Sequence, residues 1–281
     1  MPGAPNDGEA GKDELPGMAE GHEIHDPYAR IAEFYDREHD YLIQDIQMYL
    51  EYVISAGDPV LELACGTGRI AFPIAEAGFR VVGADSSGAM LERARSRASA
   101  SNAGQTATFV KADMCDAGAI EGGPFGVVIM ALDALSHLQT IDMQLQALTA
   151  ARQALDPRGV LLLDVMHASP TRLQVFDGSI GHDGFWSLPS GETIDRFSAH
   201  TVHPASQEIM SRIWYDVTSA EGSVRRTATW MRQRYVSPGE LVLMLEFAGF
   251  EDVMLYGDYQ LEEFHDHSDR LIAAAEATKT E

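Results

Sequence analysis

The chain has 281 residues, 45% of them hydrophobic and 22% charged, the balance of a globular protein able to bury a sizeable core. Its 43 acids against 20 basic residues give a formal net charge of −23, which disfavours nucleic acid as a partner because phosphates are met by clustered Lys and Arg. Cys65 and Cys115 form neither a disulfide framework nor a zinc spacing. With no leader-like or membrane-length apolar run, no membrane partner is expected and a cytoplasmic location is the default.

Residues 1 to about 26 are rich in Gly, Pro, Ala and acids and predict a disordered acidic tail, because too little apolar surface is available to offset ordering. From Tyr28 to Val53, apolar residues recur at helical spacing (Ile31, Phe34, Tyr35, then Ile43, Ile46, Tyr49, Leu50) and predict two helices over a sheet. Strand and helix then alternate. Strands are predicted at Val60–Leu63, Arg80–Ala84, Thr108–Lys111 and Gly126–Met130, with an apolar, central fifth at Val160–Val165. Helices are predicted at Ile70–Ala77, Ala89 to about Ala98, and Ile141–Leu155. After Met166 the texture changes. The stretch 167–191 is rich in Gly, Pro and Ser, and 193–204, 207–218 and 224–236 alternate as antiparallel strands do. Pro238–Phe247 returns to helical spacing and stops at Ala248-Gly249, and two closing strands are expected at Asp252–Tyr259 and Arg270–Ala275. The expected organisation is a tail (1–26), a core of N-terminal helices and cofactor-binding fold (27–166), an antiparallel insertion (167–236) serving as substrate lid or dimer surface, and a C-terminal return to the core sheet (237–281). Self-association stays open.

The chemistry concentrates in Val60-Leu61-Glu62-Leu63-Ala64-Cys65-Gly66-Thr67-Gly68-Arg69, a buried strand ending in a glycine turn that feeds a helix. Such junctions hold nucleotide-like ligands. Gly66 to Ala71 fits G-x-G-x-x-G/A, which dinucleotide folds share, and Asp85 stands where an acid grips ribose hydroxyls. Glu62 separates the readings. A carboxylate before the turn repels a pyrophosphate and suits a ligand carrying an ammonium group. Asp113 ends the third strand, so three acids line one crevice edge, one for an ammonium, one for a ribose diol and one for an adenine amine. S-adenosylmethionine presents that set.

The chain resembles class I S-adenosylmethionine-dependent methyltransferases from about Tyr28 onward. The resemblance rests on the Val60–Arg69 motif, Val82-Gly83-Ala84-Asp85-Ser86-Ser87-Gly88-Ala89-Met90, Ala112-Asp113-Met114 and Phe125-Gly126-Val127-Val128-Ile129, in that order. It implies an α/β, Rossmann-like sheet of seven strands, mostly parallel, with helices on both faces and an antiparallel last strand. The opening Tyr28-Ala29-Arg30-Ile31-Ala32-Glu33-Phe34-Tyr35-Asp36 and the antiparallel insertion are similar to bacterial small-molecule enzymes, including amino-sugar N-methyltransferases.

This resemblance implies a cofactor site of Tyr35, Glu62, Ala64, Gly66, Gly68, Arg69, Asp85, Ser86, Met90, Ala112, Asp113, Met114 and Ala131. Met90 and Met114 would sandwich the adenine, or be plain core. Tyr35 would close over the sulfonium, or be a buried aromatic of an amphipathic helix. Arg69, or else Arg30, would pair with the cofactor carboxylate. His137, in Leu135-Ser136-His137-Leu138, would be a general base beside the transferred methyl, with a loop-ordering His as the plainer reading. Phe185, Trp186, Trp214 and Trp230 are candidates for an acceptor pocket, and His265-Asp266-His267 reads as a surface loop rather than a metal site. The expected activity is methyl transfer to nitrogen or oxygen of a small-molecule acceptor in secondary metabolism. The alternatives are RNA or protein methylation, a cofactor-retaining protein that methylates nothing, and a dinucleotide oxidoreductase.

Overall fold

The computed structural model describes residues 26–100 and 106–277; apart from Asp26, the predicted tail lies outside the described residues. Two sheets form among them. The first is built from β1 (Val60–Leu63), β2 (Val81–Asp85), β3 (Ala107–Lys111), β4 (Phe125–Met130), β5 (Leu155–Met166), β10 (Phe250–Tyr256) and β11 (Arg270–Ala277). Their order is β10-β11-β5-β4-β1-β2-β3. β11 runs antiparallel to both its neighbours, while β1 pairs in parallel with β2 and β4. The chain therefore reverses its winding between β1 and β4, and the crevice opens at the carboxyl ends of these strands. The seven-stranded architecture expected from the resemblance is present.

Alternation along the strands feeds two cores. Leu61, Leu63, Val128, Met130, Leu161 and Leu163 face α5 (Ile141–Ala154) and α7 (Pro238–Phe247). Val60, Val127, Ile129 and Leu162 face α2 (Ile46–Ala56) and α3 (Ala71–Glu76), with Met48, Tyr49, Val53 and Ile74 as partners. α4 (Gly88–Ala100) follows β2 and buries Met90, Leu91 and Ala94, a three-to-four spacing. The helix starts carry their own signals. Thr140 accepts from the Met143 N–H ahead of α5, and Ser237 and Glu240 form a capping box with Pro238 in the first turn of α7. No helix among the described residues is long and apolar enough to cross a membrane.

The second sheet is antiparallel, in the order β6-β7-β8-β9: Asp177–Ser187, Thr193–His203, Glu208–Thr218 and Val224–Arg234. A short α6 (Pro170–Gln174) leads into it. The sequence predicts only the last three of these strands. β6 carries three glycines and two register shifts against β7, at Asp177/Ile180 and His182/Gly184, so strict alternation is lost. One face of this sheet, with Ile194, Ile213, Tyr215, Val217 and Met231, covers Ile31 and Phe34 at α1 (Ala32–His39). Phe34 stacks on Tyr215 with ring centroids 4.2 Å apart. The second sheet thereby presses α1 toward the crevice.

Candidate functional site

The glycine turn is shaped by sterics. Ala64 leaves β1 at φ 56°, and the Cys65 N–H donates to the Ala84 carbonyl at 3.0 Å. Gly68 sits at φ 85°, where a Cβ would lie 2.8 Å from Phe72 and 3.0 Å from Phe109. Conformation and space both demand glycine there. Gly66, at φ 56°, floors a narrow cradle: a Cβ on it would stand 3.3 Å from Met90 Cε and 3.6 Å from the Tyr35 ring.

The three acids stand at the predicted strand ends but in different environments. Glu62 shares a strand face with Val60, under α2 and α3, and is only 3% exposed. The Ala71 N–H bonds to it, while Oε2 has no partner. Burial pushes its carboxyl up to about 8, against the opposing pull of Arg69. A buried, half-satisfied carboxyl at the edge of the cradle suits a cation brought in by a ligand. Asp85 is part-buried, and burial raises its carboxyl; Oδ1 accepts from the Ser87 N–H at 2.7 Å and Oδ2 from the Gly66 N–H at 2.8 Å. Both oxygens keep a lone pair for a diol. Asp113 is exposed and caps the 3-10 turn Met114–Ala119 through the Cys115 N–H at 2.8 Å.

Arg69 is committed elsewhere. Its guanidinium forms a bidentate pair with Asp45 (2.8 and 2.5 Å) and donates to the Leu42 carbonyl at 2.5 Å, with both side chains buried. Burial works against its charge, and the Asp45 pair more than offsets that, holding the pKa above its ordinary value. The pair ties the start of α2 to the glycine turn. Arg30, the other candidate, is exposed and donates to the Ala228 carbonyl at 3.4 Å.

Tyr35 roofs the cradle from α1, stacked on His39 at 4.0 Å. Asp36 clasps that helix to α4 through Arg93 (2.5 Å) and Arg97 (3.0 Å). Beside Tyr35 stands Tyr28, whose hydroxyl is 2.9 Å from His137 Nε2. His137 is half-buried, and burial lowers its pKa, with Asp133 pulling the other way. Burial thus favours the neutral imidazole, the form that can act as a proton acceptor.

The segment after β4 carries strain. Leu132 (φ 45°) and Asp133 (φ 65°) are successive left-handed non-glycine residues, each costing about 1–3 kcal/mol. The buried Asp164 of β5 holds them: the Leu132 N–H donates to its Oδ2 at 3.3 Å and the Asp133 N–H to its carbonyl at 2.9 Å. Arg270 donates to Asp164 Oδ1 at 2.7 Å and to Asp133 Oδ2 at 3.3 Å, and Tyr259 adds a hydroxyl on Asp164 at 3.0 Å. The 3-10 turn Ala134–His137 follows, its Leu135 carbonyl held by Gln144 at 3.2 Å.

The fold thus gathers Tyr35, Glu62, Gly66, Asp85 and Met90 at one cradle. Ala64, Ser86, Ala112 and Ala131 occupy the loops that leave the same strand ends, and Met114 opens the 3-10 turn after β3. The four aromatics do not form one pocket. Trp186 joins the α1 cluster, Trp214 and Trp230 flank Arg212 on the opposite sheet face, and Phe185 is 57% exposed. His265 and His267 lie on an exposed turn. Sequence reasoning passed over Tyr28 and Asp164. An acid inside the apolar β5 is the same anomaly that singles out Glu62, so the signal for Asp164 was there to be read.

Residues 60–159 match a family described as a methyltransferase domain. YqeM of Bacillus subtilis, named as a methyltransferase, is 30% identical over 227 residues, covering 79% of this chain and 85% of its own length. The cypemycin N-terminal methyltransferase of a Streptomyces species is 26% identical over 78% of this chain and 83% of its own. Among solved structures, the CcbJ methyltransferase from Streptomyces caelestis aligns with a TM-score of 0.73 and 28% identity, over 90% of this chain and all of that one. The S-adenosylmethionine-bound amino pentose methyltransferase CalS10 from Micromonospora echinaspora shares the fold (TM-score 0.68, 20% identity, 88% and 97% covered). A cradle floored by Gly66, an unpartnered buried carboxyl oxygen on Glu62 and a two-donor-braced Asp85 fit that cofactor's adenosyl and ammonium groups. This chain belongs to the S-adenosylmethionine-dependent methyltransferases.

Proposed function

We propose that this enzyme methylates a nitrogen or oxygen of a small organic acceptor of secondary metabolism. The observation that carries the reading is the Tyr28–His137 pair, an imidazole bonded to a phenol beside the Tyr35 roof, in a chain whose net charge of −23 disfavours RNA. CalS10, an amino pentose methyltransferase of calicheamicin biosynthesis among the structural neighbours, supports it. When bound, the cofactor supplies an electrophilic methyl on a sulfonium, so the protein's work is alignment and proton handling.

In this reading Glu62 ionises to hold the cofactor's ammonium, Asp85 takes the ribose diol, Asp113 the adenine amine, and Met90 with Met114 the adenine faces. Ala64, Gly66, Gly68, Ser86, Ala112 and Ala131 lend backbone and close approach. Arg69 contributes indirectly, by fixing the turn through Asp45. Tyr35 shuts water from the methyl, and His137 accepts the acceptor's proton at Nε2 once the acceptor displaces the Tyr28 hydroxyl. The second sheet forms the outer wall of the acceptor site through its packing on α1. A peptide amino terminus is the second reading, supported by the cypemycin relative.

The test is transfer of labelled methyl from S-adenosylmethionine to a panel of amino sugars, other amines, phenols and peptide amino termini. Label in the small amines or phenols is expected. Label in peptides alone would favour the second reading, and label in none would overturn both.

A further inference from the structure

We infer that Arg270 is a positioning residue for methyl transfer. By clamping Asp133 against Asp164 it holds the strained post-β4 loop in the conformation that brings His137 to Tyr28, and it offsets part of the Asp133 charge that faces the imidazole. The kinetic part rests on the methyl-transfer reading above; the structural part does not.

The geometry is specific. Arg270 opens β11, which pairs with β5 so that Arg270 faces Met166 and Ile272 faces Asp164. Its guanidinium spans two acids, Asp164 at 2.7 Å and Asp133 at 3.3 Å through both Nη1 and Nη2. Asp133 in turn accepts from the Met166 N–H at 2.5 Å, which locks its side chain toward β5. Without the clamp, two successive left-handed residues would be free to relax, and His137 lies four residues beyond. A loop with that much stored strain needs over-determination, and it has contacts from β5, β11 and Tyr259.

The electrostatics point the same way. Tyr28 from the N-terminal segment and Asp133 from its own loop act on His137, while Arg234 of β9 is tied to Gln144 and to Glu240 of α7. Asp133 is the acid that favours a charged His137, and Arg270 is the cation that neutralises Asp133. Removing Arg270 therefore both loosens the loop and turns an uncompensated carboxylate toward the imidazole.

The experiment is an NMR titration of the histidine ring protons in the full chain with bound S-adenosylhomocysteine, His137 being assigned by its loss in His137→Gln. In Arg270→Gln the His137 midpoint is expected to move to higher pH. In an Asp133→Asn background the same change should move it distinctly less, because only the loosening of the loop remains. Turnover of Arg270→Gln should fall roughly 10²-fold with the S-adenosylhomocysteine Kd unchanged, and Arg270→Lys should restore part of both effects. An unmoved midpoint, or an undiminished shift in the Asp133→Asn background, overturns the inference. If Arg270→Gln does not fold, Asp133→Asn alone must lower the midpoint, and its failure to do so is equally decisive. A methylating enzyme with an unmoved midpoint sinks the clamp alone. A midpoint that moves as expected in a protein that methylates nothing sinks the functional reading alone.

Discussion

Glu62→Gln separates the cofactor-binding role proposed for this acid from its effect on folding. In the free protein the carboxyl is held at about 8 rather than 4.5, equivalent to at most roughly 5 kcal/mol against the ionised form. The unfolded chain ionises near 4.5 and the folded one only near 8. Wild-type stability is therefore retained below pH 4.5 and declines as pH rises through that window. Glutamine has no such titration, so the variant should gain on the wild type between pH 5 and 8 and level off above, each kcal/mol reading as about 2–4 °C in Tm. Ligand binding should go the other way. At pH 7 most wild-type molecules carry the Glu62 proton and must release it to hold an ammonium, so calorimetry with S-adenosylhomocysteine in buffers of different ionisation enthalpy should report about one proton released. The variant should release none and bind about 10²–10³-fold more weakly, since an ammonium would face a neutral amide. Unaltered affinity in the variant, or no proton release by the wild type, would refute this account of the site.

Asp85→Ala removes the acceptor for the Gly66 and Ser87 N–H groups and should weaken S-adenosylhomocysteine about 10–100-fold, measured by titration calorimetry. His137→Gln should leave that affinity intact and slow turnover with a hydroxyl or ammonium acceptor by about 10²-fold or more, read in a labelled-methyl assay; unchanged turnover removes it as the base. Gly68→Ala should cost about 1–3 kcal/mol in thermal or urea unfolding, because the new methyl meets Phe72 and Phe109 on a backbone alanine adopts poorly. Asp45→Ala strands the buried Arg69 charge and should cost about 3–5 kcal/mol by the same assay.

The sequence shows the glycine turn and the acids around it clearly because their signals are local. Glu62, Gly66 and Gly68 lie within seven residues, and Asp85 and Asp113 follow at the ends of strands whose apolar runs mark them. What is hidden depends on distant partners. Arg69 was legible as a charged residue at the turn, but Asp45, 24 residues earlier, decides what it does. Tyr28 meets His137 across 109 residues and Arg270 meets Asp133 across 137, separations that no periodicity reports. β6 escaped for a related reason: a glycine-rich, bulged segment becomes a strand because β7 supplies its hydrogen bonds. The aromatic residues misled because alternation alone does not say which sheet face meets the site.

The second sheet leaves the core after β5 and returns to it through α7, and at its exit Arg234 is knotted to Gln144, Gln207 and Glu240 beneath the surface. That arrangement makes the second sheet a graft on a rootstock. Its loops and outward residues can be recut while the core sheet keeps its register and Glu62, Asp85 and Asp113 keep their places. Only the graft union, Gln144 with Arg234, has to persist, because it is joined to the Leu135 carbonyl and hence to the loop that carries His137.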